Sequence, residues 1–326
     1  GGDIVAVKAW MRVLRITLTT KSPGQNGKNK QLVFEENESG VGLAISVNGN
    51  KFMSTLKDNC TVKISNLTYV EIVQIITGQF YNIKIECGYK SSGVQTIFDG
   101  GVMYISNLRE SVDTNTVTIL CASHLVASYG QRRINLSFNS GINMYSAINF
   151  VCKVGGVPNP NISTQFKKQF LEGIENAYNQ TAAEWVNDQT TKNGSYISSS
   201  DCIGNSFMTL FDANKSNARV IKLNKDTLLL TNGFPRMTAD GLVFSVMPTF
   251  AFQCGDTIVM DNSLIQINVT SQSEATKNLG GLLDENGQYM IYEMHYQLEN
   301  RGQNFFLEIY AKTRSRISAY LAKEIG

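Results

Sequence analysis

Between Arg12 and about Leu136, hydrophobic and polar residues alternate in short runs broken by Gly, Asn and Asp. Residues 12–18, 60–64 and 81–87 each alternate with period two, which puts apolar side chains on one face of an extended chain. Further strands are predicted over 96–98, 101–105 and 116–122, with turns at Ser92-Gly93 and Asp99-Gly100. Six or seven short strands at this spacing suit a small β-barrel or sandwich.

The period changes between about 140 and 232. Met144 to Val151 places apolar groups on one helical stripe, which Gly155-Gly156-Val157-Pro158 stops. A longer helix is predicted over residues 164–186, where Phe166, Phe170, Ile174, Ala177, Tyr178 and Trp185 recur mostly at three-, four- and seven-residue spacings. Such an aromatic stripe marks core or subunit contact before it marks a cofactor site. A short helix is predicted over 206–214. A hairpin is predicted from 219–223 and 226–231, turning at Asn224-Lys225.

Alternation returns from Gly241, with strands predicted over 242–247, 257–260, 263–269, 289–298 and 305–311. The last two are joined by the turn Glu299-Asn300-Arg301-Gly302. A basic, weakly helical tail follows. The pattern therefore divides into a β unit over 1–138, a mixed α/β unit over 139–235, a second β unit over 236–313 and a tail over 314–326. The fold class is β-rich α+β.

Composition narrows the function. Of 326 residues, 42% are hydrophobic and 17% charged, against about 25% charged in an average domain. Much of the surface is then neutral and polar, or covered by partners. The net charge of +2 lacks the basic clustering of a dedicated nucleic-acid binder. Arg132-Arg133 and the group Lys312, Arg314 and Arg316 read as solvated faces. Cysteines 60, 87, 121, 152, 202 and 254 form no CxxC pair and sit mostly in strand-like contexts, as buried thiols do. No apolar run approaches the ~20 residues of a membrane-spanning helix, and residues 1–18 lack a signal peptide's apolar core and cleavage site. Synthesis in a cytosol is expected.

Candidate chemistry is sparse. The two histidines, His124 and His295, have no HxxxH or HExxH partner, which argues against a zinc centre. There is no GxSxG elbow, and the glycine pairs Gly155-Gly156 and Gly280-Gly281 lack a phosphate-cradling context. Paired carboxylates remain a route to glycan hydrolysis. Glu35-Glu36 and Asp284-Glu285 lie in turn-like stretches, however, and Glu172/Glu175 on the solvent side of the predicted helix. No catalytic, cofactor-binding or metal-binding residue is assigned, and no cofactor is expected.

Three stretches carry a resemblance. The first, 50–101, holds the strand Cys60-Thr61-Val62-Lys63-Ile64-Ser65-Asn66-Leu67, a helical stretch, Ile83-Lys84-Ile85-Glu86-Cys87-Gly88-Tyr89 and Ile97-Phe98-Asp99-Gly100. The second runs from Met247-Pro248 to Gly255-Asp256-Thr257-Ile258. The third runs from Gly287-Gln288-Tyr289 through Arg301-Gly302 to Ile309. Taken in order, they resemble the baseplate hub proteins of bacteriophage tails, the family in which two β-barrel domains flank a mixed α/β middle. The resemblance implies a virion protein without catalytic residues. It implies a homotrimeric ring of six barrels that joins the sixfold tail tube to the threefold spike, meets other baseplate proteins and gives DNA a passage. A carbohydrate- or receptor-binding β-module of a virion is the alternative, and a peptidoglycan hydrolase the third reading.

Overall fold

The computed structural model describes residues 11–23, 29–35, 42–52, 58–91, 93–109, 115–123, 132–157, 160–162, 164–192, 197–203, 206–212, 219–228, 233–238, 241–250, 252–267, 283–284 and 286–313. The chain opens with β1 (Arg12–Pro23), β2 (Asn29–Glu35), β3 (Ala44–Phe52), β4 (Asn59–Ser65), α1 (Tyr69–Thr77), β5 (Phe80–Tyr89), β6 (Gly93–Arg109) and β7 (Asn115–Ala122). The middle holds β8 (Arg133–Phe138), α2 (Met144–Val154), β9 (Pro160–Ile162), β10 (Glu175–Thr181), α3 (Ala182–Lys192), β11 (Ile197–Ile203) and β12 (Ser206–Asp212). The last part supplies β13 (Val220–Leu223), β14 (Arg236–Thr238), β15 (Gly241–Val246), β16 (Thr257–Met260), β17 (Gln266–Ile267), β18 (Gln288–Glu299) and β19 (Phe305–Lys312).

The first and last parts form one 14-stranded sheet. Its order is β17-β14-β15-β19-β18-β3-β4-β7-β6-β5-β1-β2, with β16 paired to β18 and to β13 off that path. Alternation decides which face is buried. Ile45 and Val47, Val62 and Ile64, Ile83 and Ile85, and Leu307 and Ile309 point into a single core shared by both parts. The residues between them face outward. Helix α1 adds Ile72 and Ile75 to this core and starts at a capping box, Thr68 with Glu71. Among the described residues no ladder joins the two ends of the sheet, so the sheet is open and continuous across both parts.

The middle part has its own core. Ile134 and Phe138 of β8, Met144, Ile148 and Val151 of α2, and Trp185 and Val186 of α3 close around Phe166. Strand β8 therefore pairs with β10 and packs with the middle part, although its residues were expected in the first unit.

Several expected elements differ. The helix over 164–186 is not formed: a 3-10 turn covers Thr164–Lys168, β10 follows, and only from Ala182 is the chain helical. The Gly141 N–H donates to the Leu171 carbonyl and the Leu171 N–H to the Ile142 carbonyl, which holds this stretch extended. Gly173 adds its usual helix cost of about 1 kcal/mol. The predicted stripe splits, with Phe166, Ala177 and Trp185 buried and Phe170, Ile174 and Tyr178 exposed. Residues 206–214, expected as a helix, contain β12, held between β11 and β9. Strand β13 pairs parallel with β16 in place of a hairpin, and Leu228 instead bridges to Val246. Asp99-Gly100, expected as a turn, lies inside the single strand β6. A Cβ at Gly100 would come within 2.5 Å of the Ala122 carbonyl oxygen, so this glycine marks a close strand approach. The tail over 314–326 and His124 lie outside the described residues.

Candidate assembly interface

The contact that makes one sheet of two parts is β3 against β18. The strands run antiparallel over seven register pairs, from Glu293 opposite Phe52 to Glu299 opposite Ser46. Tyr296 stands directly opposite Gly49, and its hydroxyl donates to the Asn59 carbonyl at 3.4 Å. A Cβ at Gly49 would lie 2.4 Å from the Tyr296 hydroxyl oxygen, so the tyrosine crosses β3 only because residue 49 has no side chain.

Two side chains fasten the ends of this join. Asn300 donates to the Leu43 carbonyl at 2.8 Å and accepts from the Ile45 N–H at 2.8 Å, which extends the pairing past the end of β18. Arg12, at the start of β1, donates to the carbonyls of Glu299, Gly302 and Gln303. Its guanidinium also lies 5.2 Å from the centroid of the Phe305 ring, which Tyr89 meets edge-on. The β18–β19 turn is thus gripped by the first part of the chain. Elsewhere Arg219 clamps the β13–β16 pair by a bidentate bond to the buried Asp256, at 3.1 and 2.6 Å. Burial pushes the Asp256 carboxyl up, and the Arg219 bonds oppose that shift.

The outward face across the join is polar. Ser46, Asn48 and Asn50 of β3 lie between Glu299, Gln297 and His295 of β18 and Lys63, Thr61 and Asn59 of β4. His295 bonds Glu293 at 2.6 Å, and that bond raises the imidazole above its ordinary value of 6.5. Beside it the Tyr310 hydroxyl donates to Glu308, and burial with that bond pushes the phenol up to about 12.

Cys60, Cys87, Cys121, Cys152 and Cys254 are free and buried. Burial pushes Cys60 and Cys87 up to about 12 and raises the other three as well, which leaves little thiolate for nucleophilic chemistry. Three of the candidate carboxylates have structural partners: Glu35 meets Arg15, Glu175 meets Lys192 and Gln189, and Asp284 accepts from the N–H groups of Asn286 and Gln288, while Glu172 is exposed. Glu36 and Glu285 lie outside the described residues. Among the described residues no three His, Cys, Asp or Glu side chains are grouped to hold a metal. No described helix is long and apolar enough to cross a membrane. A crevice between Thr96, Phe252, Met294 and Leu307 has a volume of about 10 Å³, room for one water at most.

Neither β1 nor β19 is an edge of the large sheet. Strand β1 lies between β2 and β5, and β19 lies between β18 and β15. Among the described residues the free edges of the large sheet are β2, β17 and β13. Strand order is set by pairings across the whole chain, so no local pattern marks an edge.

The architecture is that of phage tail proteins. The 43 kDa tail protein of prophage MuSo2 from Shewanella oneidensis superposes with a TM-score of 0.57 at 8% identity, covering 93% of this chain and 99% of that one. A tail protein from Neisseria meningitidis MC58 gives 0.53 at 8% identity, covering 93% and 97%. At this identity the likeness is one of fold. A comparison with curated proteins gave no match. The sequence profile of the family described as Baseplate hub gp41 matches residues 13–311, and the chain belongs to that family. The resemblance carried by residues 50–101, 247–258 and 287–309 agrees with this match. The protein is therefore a structural component of a phage tail baseplate, with its place in the virion tail.

Proposed function

We propose that three copies of this chain form a hub ring in which each contributes two barrel-like β units, one running from β1 to β7 and one from β13 to β19, with the middle part between them in the chain. The ring presents six similar β units to the sixfold tail tube and threefold symmetry to the spike, touches other baseplate proteins, and leaves a central passage for DNA. It acts by geometry and carries out no reaction. The observation that supports this reading best is the β3–β18 ladder, which sets the two β units side by side in one sheet with a polar outward face across the join. An open sheet with unpaired edges is a hazard in an isolated chain and an asset in a closed assembly.

The mass of the purified protein by light scattering, over a range of concentrations, tests the ring. A mass of three chains that survives dilution is expected. A single-chain mass at every concentration, with and without the spike protein, would sink the proposal.

A further inference from the structure

We infer that the free edge of β2 is a docking edge for a second copy of this chain, which enters with the opposite end of its own sheet, at β14 and β17. The inference rests on the ring reading and names the surfaces that would close it.

The strand path ends at β2 on one side and at β17 on the other, and no described strand covers either end. The hydrogen bonds show which groups of β2 are open. The Lys30 N–H donates to the Thr20 hydroxyl at 3.0 Å, and that hydroxyl donates back to the Lys30 carbonyl at 3.4 Å. In a strand the N–H and C=O of one residue point to the same side, and those of the next residue to the other. Lys30, Leu32 and Phe34 therefore address β1, and Gln31, Val33 and Glu35 address the open side. The far side of β1 agrees. The Lys90 N–H donates to the Met11 carbonyl at 3.0 Å, so the odd-numbered residues from Met11 to Thr19 address β5. Ile16 and Leu18, opposite Phe34 and Leu32, are left to address β2.

The other end has the same character. The Gln266 N–H donates to the Pro235 carbonyl at 2.7 Å, so Gln266 addresses β14 and Ile267 the open side. Each end also carries uncovered apolar side chains beside its open backbone groups: Val33 is 55% exposed, Phe234 46% and Ile267 40%.

A second copy is the occupant because the two ends are unlike and belong to one chain. Within the chain, an edge of the first β part already pairs with the last part through β3 and β18. Repeating that kind of contact head to tail joins β2 of one copy to the β14–β17 end of the next, and a closed ring leaves neither end of the strand path uncovered. Pairing β2 with β2 across a twofold axis would leave every β17 end open.

The test uses the full chain with Val33→Pro and, separately, Ile267→Pro. Each substitution removes an outward N–H that bonds no described strand, which is where an edge strand tolerates proline. Light scattering is expected to show a threefold drop in mass for each variant alone, with the far-UV spectrum retained. An equimolar mixture of the two is expected to form a two-chain species and nothing larger, because one matched pair of ends survives. Wild-type mass in both variants would overturn this inference and leave the ring reading standing. Loss of assembly in Val33→Pro with none in Ile267→Pro would overturn the head-to-tail arrangement in favour of a twofold contact. A single-chain wild type would sink the ring reading and this one with it. Where Val33→Pro loses its spectrum, Val33→Lys, which sets a charge on the exposed edge, carries the same reading.

Discussion

The large sheet and the middle part bury apolar surface in different ways. The sheet gathers one core from residues as far apart as Leu14 and Ile309, covers it with strands paired on both sides, and turns outward a face that is polar at the β3–β18 join and carries Tyr104, Leu108 and Leu120 elsewhere. Among the described side chains the middle part draws its core from residues 134–186 and leaves Phe150, Phe170, Ile174 and Tyr178 exposed. The large sheet ends at the open edge of β2, while the middle part is unfinished chiefly on a surface. A sheet unfinished at its edges can be continued by another strand in register, whereas an exposed aromatic surface tolerates many contact geometries. The sheet therefore suits a fixed repeating contact and the middle part a variable one.

The strongest way to break this comparison is Trp185→Ala. Trp185 is fully buried against Phe138 with ring centroids 5.0 Å apart, and its truncation costs about 3–5 kcal/mol. Hydrogen exchange read by mass spectrometry is expected to speed up in β8, α2, β10 and α3 and stay unchanged in β3 and β18. Equal acceleration in the sheet would mean that the two cores unfold as one. Gly49→Val is the converse experiment, because it crowds Tyr296 at the join and costs about 1–3 kcal/mol. Its exchange signature should fall on β3, β4 and β18, with the middle part protected.

Smaller effects sharpen the contrast. Helix α3 is capped by Thr181, whose N–H donates to Glu184 at 2.7 Å while its hydroxyl accepts from the Glu184 N–H at 3.2 Å. The first of these bonds chiefly holds the Glu184 carboxyl below its ordinary value. Thr181→Ala should lower stability by about 1 kcal/mol, read as a shift in the urea midpoint. The smallest effect is a pH dependence in the sheet. His295 faces Glu293 and, across the ladder, Glu308, with the Tyr310 ring 4.9 Å away and Asn50 on the other side. Its folded-state pKa is raised above 6.5, so its contribution is complete below about 6.5 and is lost as pH rises through the folded value. His295→Gln should flatten that decline in a pH series of melting temperatures, and an unchanged slope would assign the decline elsewhere.

Much of the sheet was legible because half-buried strands write period two into the chain. Strands β1, β4, β5, β7, β18 and β19 all contain the runs predicted for them. The middle part was harder to read because its elements are short and its apolar spacing fits a helix and an extended chain about equally well. Thr181-x-x-Glu184, a capping-box pattern like Thr68-x-x-Glu71, was the signal that would have placed the helix start at 182 instead of 164. The β3–β18 join was out of reach: Ala44 to Phe52 alternates, but nothing local says that its partner lies some 250 residues away. Which strands end the sheet was out of reach for the same reason.

That separation also governs how the molecule can come into being. A growing chain exposes β3 long before β18 exists to cover it, since the ribosome must first add the whole middle part. Contacts this distant in sequence form slowly, and an uncovered strand is prone to stray pairing in the interval. Fragments ending before Gln288 should therefore precipitate or recruit chaperones, and refolding should be limited by the meeting of the two distant strands.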